Sequence, residues 1–322
     1  MNTDKVAVVF AYHNVGVRSL AVLLARGVRV ALVVTHQDDP NENQWFDSVA
    51  ALAHLEGIPV IHPDNPNLPE VVSEVADCRP DYIFSFYYRH MLSEELLAIP
   101  RLGAYNLHGS LLPKYRGRVP INWAVCHGEA ETGVTLHQMV RKADAGAIAG
   151  QEAVTILPND TAHQVFQKVV CAGERLLWRI LPEMLAGTLQ SKAMDLSQGS
   201  YFGRRRPEDG RIDWTQGAWP IHNLIRAVAP PYPGAFFMLQ GERIDILGSH
   251  YQGERASGEA TVWPRLYWQE GRCYADCRDG LRLQLTQVCM AERVLDQAAW
   301  FQQWGPKAQA LLPVPVQKES VL

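Results

Sequence analysis

The stretch Lys5-Val6-Ala7-Val8-Val9-Phe10-Ala11, closed by Tyr12-His13-Asn14-Val15-Gly16, decides the fold. Rich in valine and almost free of polar side chains, it reads as a strand buried on both faces, the form a parallel sheet requires. The same signature returns at Val28–Thr35, Pro59–His62 and Tyr82–Phe86, with helical patterns at Gly16–Arg26, Asn43–Glu56 and Leu68–Cys78 between them. Strands alternating with helices imply right-handed crossovers, so an α/β fold with a doubly wound, mostly parallel sheet is expected. Such sheets bind ligands beyond the carboxyl ends of their strands. His13, the run Tyr87-Tyr88-Arg89-His90 and the pair Asn106-x-His108 all lie at or just past the ends of expected strands, on that edge.

The turn Tyr12–Gly16 lacks the Gly-x-Gly-x-x-Gly that lets a pyrophosphate approach a helix terminus, which argues against a nicotinamide or flavin dinucleotide. A Rossmann-like frame serves other ligands equally well. Farther along, Thr161–Leu185 carries a long amphipathic helix pattern entered through Pro158-Asn159-Asp160, and the polar stretch 189–200 reads as a linker. A short helix at Ala218–Val228 then precedes strands at Ala235–Leu239, Arg243–Leu247, Gly258–Val262, Arg272–Ala275 and Leu281–Val288. Short strands at close spacing suggest a small antiparallel barrel. The expected organisation is a catalytic domain over 1–188, the linker, a barrel domain over 201–308 and a frayed tail over 309–322.

With 322 residues and a net charge of −4, the chain has room for two cores and carries no basic stripe for a polyanion. This counts against nucleic acid as a partner, and Arg204-Arg205-Arg206 reads as a solvated loop. The six cysteines include no Cys-x-x-Cys and read as reduced thiols of a cytoplasmic protein. Cys273-x3-Cys277 has no second ligand pair after it, so no metal is expected. Met1-Asn2-Thr3-Asp4-Lys5 enters a strand without the regions of a signal peptide, and no apolar run spans a bilayer, so no membrane partner is expected.

Leu102–Leu107 reads as a further buried strand, and it runs into Asn106-Leu107-His108-Gly109-Ser110-Leu111-Leu112-Pro113-Lys114-Tyr115-Arg116-Gly117. Asp144-Ala145-Gly146 follows downstream. Asn106 and His108, two apart on an extended chain, project to one side. An amide N–H can donate to an oxygen gaining negative charge, an imidazole can take a proton from an amine, and a carboxylate can orient that imidazole and raise its pKa. Together they suit transfer of a one-carbon acyl unit to an amine. Taken alone, an Asn-x-His pair at a strand end is as often a hydrogen-bonded loop anchor. Gly109 and Gly117 are expected to permit the tight turns around it.

The ordered set Asn-x-His, Ser-Leu-Leu-Pro-x-Tyr-Arg-Gly and Asp-x-Gly resembles the signature of the 10-formyltetrahydrofolate-dependent formyltransferases. The flanks Val9–His13, Thr35-His36, Phe84–His90, Gly128–His137, Lys142–Gly146, Phe202–Arg205 and Pro231–Phe236 resemble the branch that formylates UDP-4-amino-4-deoxy-L-arabinose in lipid A modification and polymyxin resistance. The resemblance implies an open, OB-like barrel in the second half, 10-formyltetrahydrofolate as co-substrate and no metal. It further implies that Asn106 stabilises the oxyanion, His108 transfers the proton and Asp144 is its partner. The folate pocket would be lined by His90, Met91, Leu92, Arg118, Val140, Arg141, Lys142, Ala143 and Asp144, largely through backbone groups. Arg118, Tyr87 and Ser110 would meet the acceptor, a nucleotide-linked amino sugar. Methionyl-tRNA is the alternative acceptor, disfavoured by the charge and by Arg118, where that branch usually carries a small residue; a dTDP-linked amino sugar is another. The bifunctional relatives continue into a decarboxylase and this sequence stops at Leu322, so a separate decarboxylase protein is expected to supply the acceptor, with this chain a monomer or homodimer.

Overall fold

A computed structural model describes residues 4–38, 44–256 and 264–311. They form two compact units, the first from Met1–Ile121, Glu131–Thr155 and Phe166–Arg204, the second from Asn122–Ala130, Ile156–Val165 and Arg205–Leu322.

Strands β1 (Val6–Ala11), β2 (Arg29–Val34), β3 (Val60–Ile61), β4 (Tyr82–Phe86) and β5 (Gly103–His108) of the first unit run parallel. After the two-residue β6 (Arg116–Gly117) come β7 (Glu131–Gln138) and β8 (Ile148–Thr155), which join antiparallel and give the order β3-β2-β1-β4-β5-β7-β8. The doubly wound, mostly parallel sheet is as expected, and the antiparallel edge is an addition to it. Residues of β1 from Ala7 to Ala11 are wholly buried, which explains the unbroken apolar run.

Helices α1 (His13–Ala25), α2 (Val49–Leu55), α3 (Pro69–Asp77) and α4 (Glu94–Ala98) follow their strands. Valines of α3 and Leu96 of α4 join Val8, Phe10, Leu32, Val34 and Ile83 in one core. After α5 (Pro120–Cys126), the long α6 (Ala162–Ala186) approaches β5 and β7 so closely that a Cβ on Gly173 would sit 3.1 Å from Leu107 and 3.9 Å from Val134. Residues 189–200 run along this unit: Lys192 and Ile148 exchange two hydrogen bonds, and the Tyr115 N–H donates to Ser200 Oγ at 2.9 Å. Next, β9 (Tyr201–Phe202) pairs with β6.

The second unit carries α7 (Ala218–Val228) and an open antiparallel sheet, a half-barrel where a small, open OB-like barrel is expected. Its strands are β10 (Ala235–Leu239), β11 (Glu242–His250), β12 (Arg265–Gln269), β13 (Arg272–Asp276), β14 (Arg282–Met290), β15 (Arg293–Val294) and β16 (Gln309–Ala310), ordered β10-β11-β14-β13-β12-β16 with β15 beside β14. Trp214, Ile221, Ile225, Phe237, Ile244, Leu285 and Trp300 of helix α8 (Gln297–Trp304) fill its core. The expected strand Gly258–Val262 lies outside the described residues. Gln309 and Ala310 are strand rather than tail, because they extend the sheet beside β12 and carry Leu311 into the core. Buried polar ties bring the short segments in: Asn122 Nδ2 donates to Ala227 O at 2.8 Å and Arg226 Nη1 to Asp160 O at 2.9 Å.

Candidate active site

Strand register assembles the centre of the site. In the β5–β7 pair, Asn106 stands opposite His137 and His108 opposite Thr135. Thr135 then fixes the loop leaving β5: its Oγ1 donates to Ser110 O at 2.7 Å and accepts the Leu112 N–H at 3.0 Å and Gln151 Nε2 at 2.9 Å. Ser110, fully buried, spends its own hydroxyl on Lys114 O at 2.7 Å. These bonds satisfy a buried loop that has no ladder partner.

Two glycines bring the carboxylate in. Gly117 sits at φ +97°, and a Cβ there would lie 2.2 Å from Phe202 O, so only glycine permits β6 to pair with β9. Its N–H donates to Asp144 Oδ2 at 2.9 Å. Gly146 passes so close to β7 that a Cβ would fall 1.9 Å from Gln138 O. Gly109, expected to serve as a tight turn, has no such demand, since its nearest contact would be an ordinary 3.5 Å to Ile121.

Asp144 faces two imidazoles. His108 Nδ1 lies 3.6 Å and His137 Nε2 3.5 Å from Asp144 Oδ1, with the three side chains 7%, 2% and 14% exposed for His108, His137 and Asp144. Those spacings are long for hydrogen bonds and close for charges. Burial by itself would raise the Asp144 pKa; the charge on His108, the neighbouring His137 ring and the Gly117 N–H outweigh it and hold the carboxyl at about 2. Burial pushes His108 below the ordinary imidazole value, partly offset by Asp144 and the Tyr115 carbonyl, while His137 pushes it further down. His108 is therefore a neutral base at neutral pH.

Hydrogen-bond partners set the tautomers. Tyr115 O, 2.8 Å from His108 Nε2, only accepts, so Nε2 carries the hydrogen and Nδ1, beside Asp144, is the open proton acceptor. Gln138 O, 2.9 Å from His137 Nδ1, likewise places that ring's hydrogen on Nδ1. His137 Nε2 then accepts from Asn106 Nδ2 at 3.2 Å, which orients the amide and leaves its second hydrogen uncommitted among the described residues.

The other expected site residues are placed as follows. Tyr87 follows β4 at φ +61°, half-buried among His13 and Phe166, at ring centroid separations of 5.2 and 5.7 Å. His90 and Met91 are exposed, whereas the Leu92 side chain belongs to the core beneath the sheet. Arg118 is exposed, held through its N–H to Phe202 O at 2.9 Å, and its guanidinium has no partner among the described residues. Val140 and Lys142 are exposed, and Arg141 pairs with Glu94 at the surface. From Val140 to Ala143 the main-chain N–H and C=O groups have no protein partner among the described residues. His137 and the carbonyl of Tyr115 were not foreseen as site groups, although the two-residue spacing of Thr135 and His137 on a strand signals a shared face. Among the described residues, no group of three or more His, Cys, Asp or Glu side chains could hold a metal ion, and no helix is long and apolar enough to cross a membrane.

The half-buried Asn106 amide, the buried His108 ring and the Asp144 carboxylate thus stand together at the carboxyl edge of the doubly wound sheet. Residues 9–181 match the model of the formyl transferase family and residues 205–303 that of the formyl transferase C-terminal domain. The chain belongs to the formyl transferase family and is an enzyme of that class. It is similar to an N-formyltransferase from Helicobacter canadensis, solved with folinic acid and dTDP-3-aminofucose, at 22% identity and a TM-score of 0.69 over 88% of this chain and 99% of that one. WlaRD, a sugar 3N-formyl transferase solved in the presence of dTDP and 5-N-formyl-THF, is similar at 20% identity and 0.69 over 91% and 100%. HypX from Aquifex aeolicus, solved with tetrahydrofolic acid, gives 16% and 0.61 over 92% of this chain and 47% of its own. At these identities the likeness is one of fold.

Proposed function

We propose that the enzyme transfers a formyl group from 10-formyltetrahydrofolate to the amino group of a nucleotide-linked amino sugar, with UDP-4-amino-4-deoxy-L-arabinose as acceptor. That product belongs to lipid A modification and polymyxin resistance. The observation that carries the reading is the Asn106 amide, oriented by His137 and with one hydrogen to give, beside a neutral His108 backed by Asp144. The fold is shared with enzymes described as sugar N-formyltransferases, and two of those were solved with dTDP or a dTDP-sugar and with folinic acid or 5-N-formyl-THF.

The unpartnered main chain of Val140–Ala143 suits the folate, because it offers donors and acceptors in sequence to a flat heterocycle. The folate supplies an activated formyl group. Asn106 Nδ2 donates to the formyl oxygen as it gains negative charge when the amine adds. His108 takes the amine proton at Nδ1, and the imidazolium so formed lies against Asp144 on one side and Tyr115 O on the other. Collapse of the adduct breaks the bond from the formyl carbon to the folate nitrogen, and the imidazolium returns its proton to that nitrogen as tetrahydrofolate leaves. Arg118 offers an unpaired guanidinium to the acceptor's phosphates.

Incubation with 10-formyltetrahydrofolate and a panel of UDP- and dTDP-linked amino sugars, with methionyl-tRNA as a further arm, tests the proposal. Mass spectrometry should read a gain of one CO on the UDP-linked 4-amino sugar. Formylation of the tRNA with none on any amino sugar would overturn it.

A further inference from the structure

A cavity of about 310 Å³ opens in the first unit at the carboxyl ends of β1, β2 and β3, lined by Tyr12, Thr35, His36, Asp38, Ser48 and His62 among others. The mechanism above does not use it, and none of these residues was assigned a role. Its volume fits a nucleoside, being at the lower end of small-molecule sites. It lies beyond the carboxyl ends of the strands, the edge on which doubly wound sheets take ligands, and beside the switch point between β1 and β4.

Asp38 is the group that gives the cavity a chemical preference. It lies on the chain just past β2, where a doubly wound sheet that binds nucleosides places the acid that accepts ribose hydroxyls. Tyr12 Oη donates to Asp38 Oδ1 at 2.9 Å, which fixes the carboxylate against the lining. A carboxylate has room for about four hydrogen bonds, and Asp38 has no other partner among the described residues. It is acceptor-only, so a vicinal diol satisfies it and a deoxyribose satisfies half as much of it.

Reach agrees. In the order β2-β1-β4-β5, three inter-strand steps of about 4.8 Å put the ends of β2 and β5 roughly 14 Å apart. From a ribose 3′-carbon through a diphosphate to the 4-amino nitrogen of a pyranose there are about twelve bonds, and at ~3.5 Å for every three extended bonds they span up to about 14 Å. The amino end of α1 follows β1, between the two, with the helix polarity that suits phosphate.

We infer that this cavity is the nucleoside subsite of the acceptor and that Asp38 selects a ribonucleotide, hence a UDP-linked over a dTDP-linked sugar. The inference rests on the proposed amino-sugar acceptor and names the half of it that the fold relatives leave open. Calorimetric titration of the whole protein with UMP, dUMP and dTMP tests it without any formyl transfer. UMP should bind about ten-fold or more tighter than dUMP, since a hydrogen bond to a charged group is worth at least one decade of affinity. Asp38→Asn, an exposed substitution of equal size, should bring UMP close to the dUMP value. Equal binding of UMP and dUMP, no binding of either, or undiminished ribose preference in the variant would overturn the inference. Formylation of an amino sugar together with equal UMP and dUMP binding would remove the subsite and keep the reaction. Ribose-selective binding with no formylation of any amino sugar would do the reverse.

Discussion

Replacing Asp144 by asparagine tests the charge arrangement on which the reaction rests. The carboxyl is held at about 2 against an ordinary 3.8, which at about 1.4 kcal/mol per decade favours its charged form by roughly 2–3 kcal/mol. Asparagine keeps the size and an acceptor for the Gly117 N–H but gives up that charge. If the same stabilisation is felt by the imidazolium of His108 during proton transfer, kcat should fall by about 30- to 100-fold. The pH profile should move as well. Burial lowers the His108 pKa and Asp144 raises it, so removing only Asp144 lets the ring titrate lower and shifts the acidic limb of the rate profile to lower pH. Stability has its own signature: a carboxyl with a depressed folded pKa contributes above its unfolded value and loses that contribution as pH falls from 3.8 towards 2. Urea unfolding should therefore separate wild type and variant at neutral pH and bring them together near pH 2. An acidic limb that stays in place with near-wild-type kcat would refute the pairing.

His108→Ala and Asn106→Ala should each lower kcat by about 10²-fold or more with an unchanged circular dichroism spectrum, since proton transfer and oxyanion donation are each worth about that much; near-wild-type turnover would remove that residue from the mechanism. Arg118→Ala should raise KM for the sugar nucleotide more than it lowers kcat, because an exposed, unpaired guanidinium binds phosphate without entering the chemistry; an unchanged KM would place the phosphates elsewhere. Gly146→Ala sets a methyl against the Gln138 carbonyl and should cost about 1–3 kcal/mol in urea unfolding while displacing Asp144; unaltered stability and rate would show that the loop gives way freely.

The parallel half of the sheet was legible because strands buried on both faces write unbroken or nearly unbroken apolar runs, as Val6–Ala11 does and as Tyr82–Phe86 does apart from Ser85. Asn106 and His108 were legible for a related reason, since they end such a run with polar groups two apart. Glu131–Gln138 was not read as a strand, because Thr132, Gly133, Thr135 and His137 place polar or absent side chains at interior positions. Those residues are buried for what they bond: Thr135 ties the loop after β5, and His137 holds the Asn106 amide. Hydropathy does not register a polar residue whose burial depends on a strand paired with it from elsewhere in the chain. The same limit applies to Gln309 and Ala310, whose short apolar context became strand only through β12. Asn122–Ala130 and Ile156–Val165 join the second unit through side-chain ties to backbone carbonyls, a kind of contact without periodicity.

The unforeseen histidine changes how the foreseen residues work. One carboxylate lies between two imidazoles, at 3.6 Å from His108 and 3.5 Å from His137, in a site from which water is largely excluded. Protonating both rings would leave a net positive charge there, which burial penalises strongly. A proton on His137 Nε2 would turn that atom from acceptor to donor, and Asn106 would have to present its carbonyl oxygen to it instead of its amide. The amide would then no longer be oriented to meet a developing oxyanion. In the proposed reaction a proton on His108 Nδ1 has the opposite consequence: it lies against the negative charge of Asp144 and leaves the contact between His137 and Asn106 as it stands, so the Asn106 donor stays aimed. In the proposed mechanism, proton uptake by His108 and retention of the Asn106 donor are thus coupled through a single carboxylate, and that coupling requires Asp144 to stand between the rings rather than behind one of them.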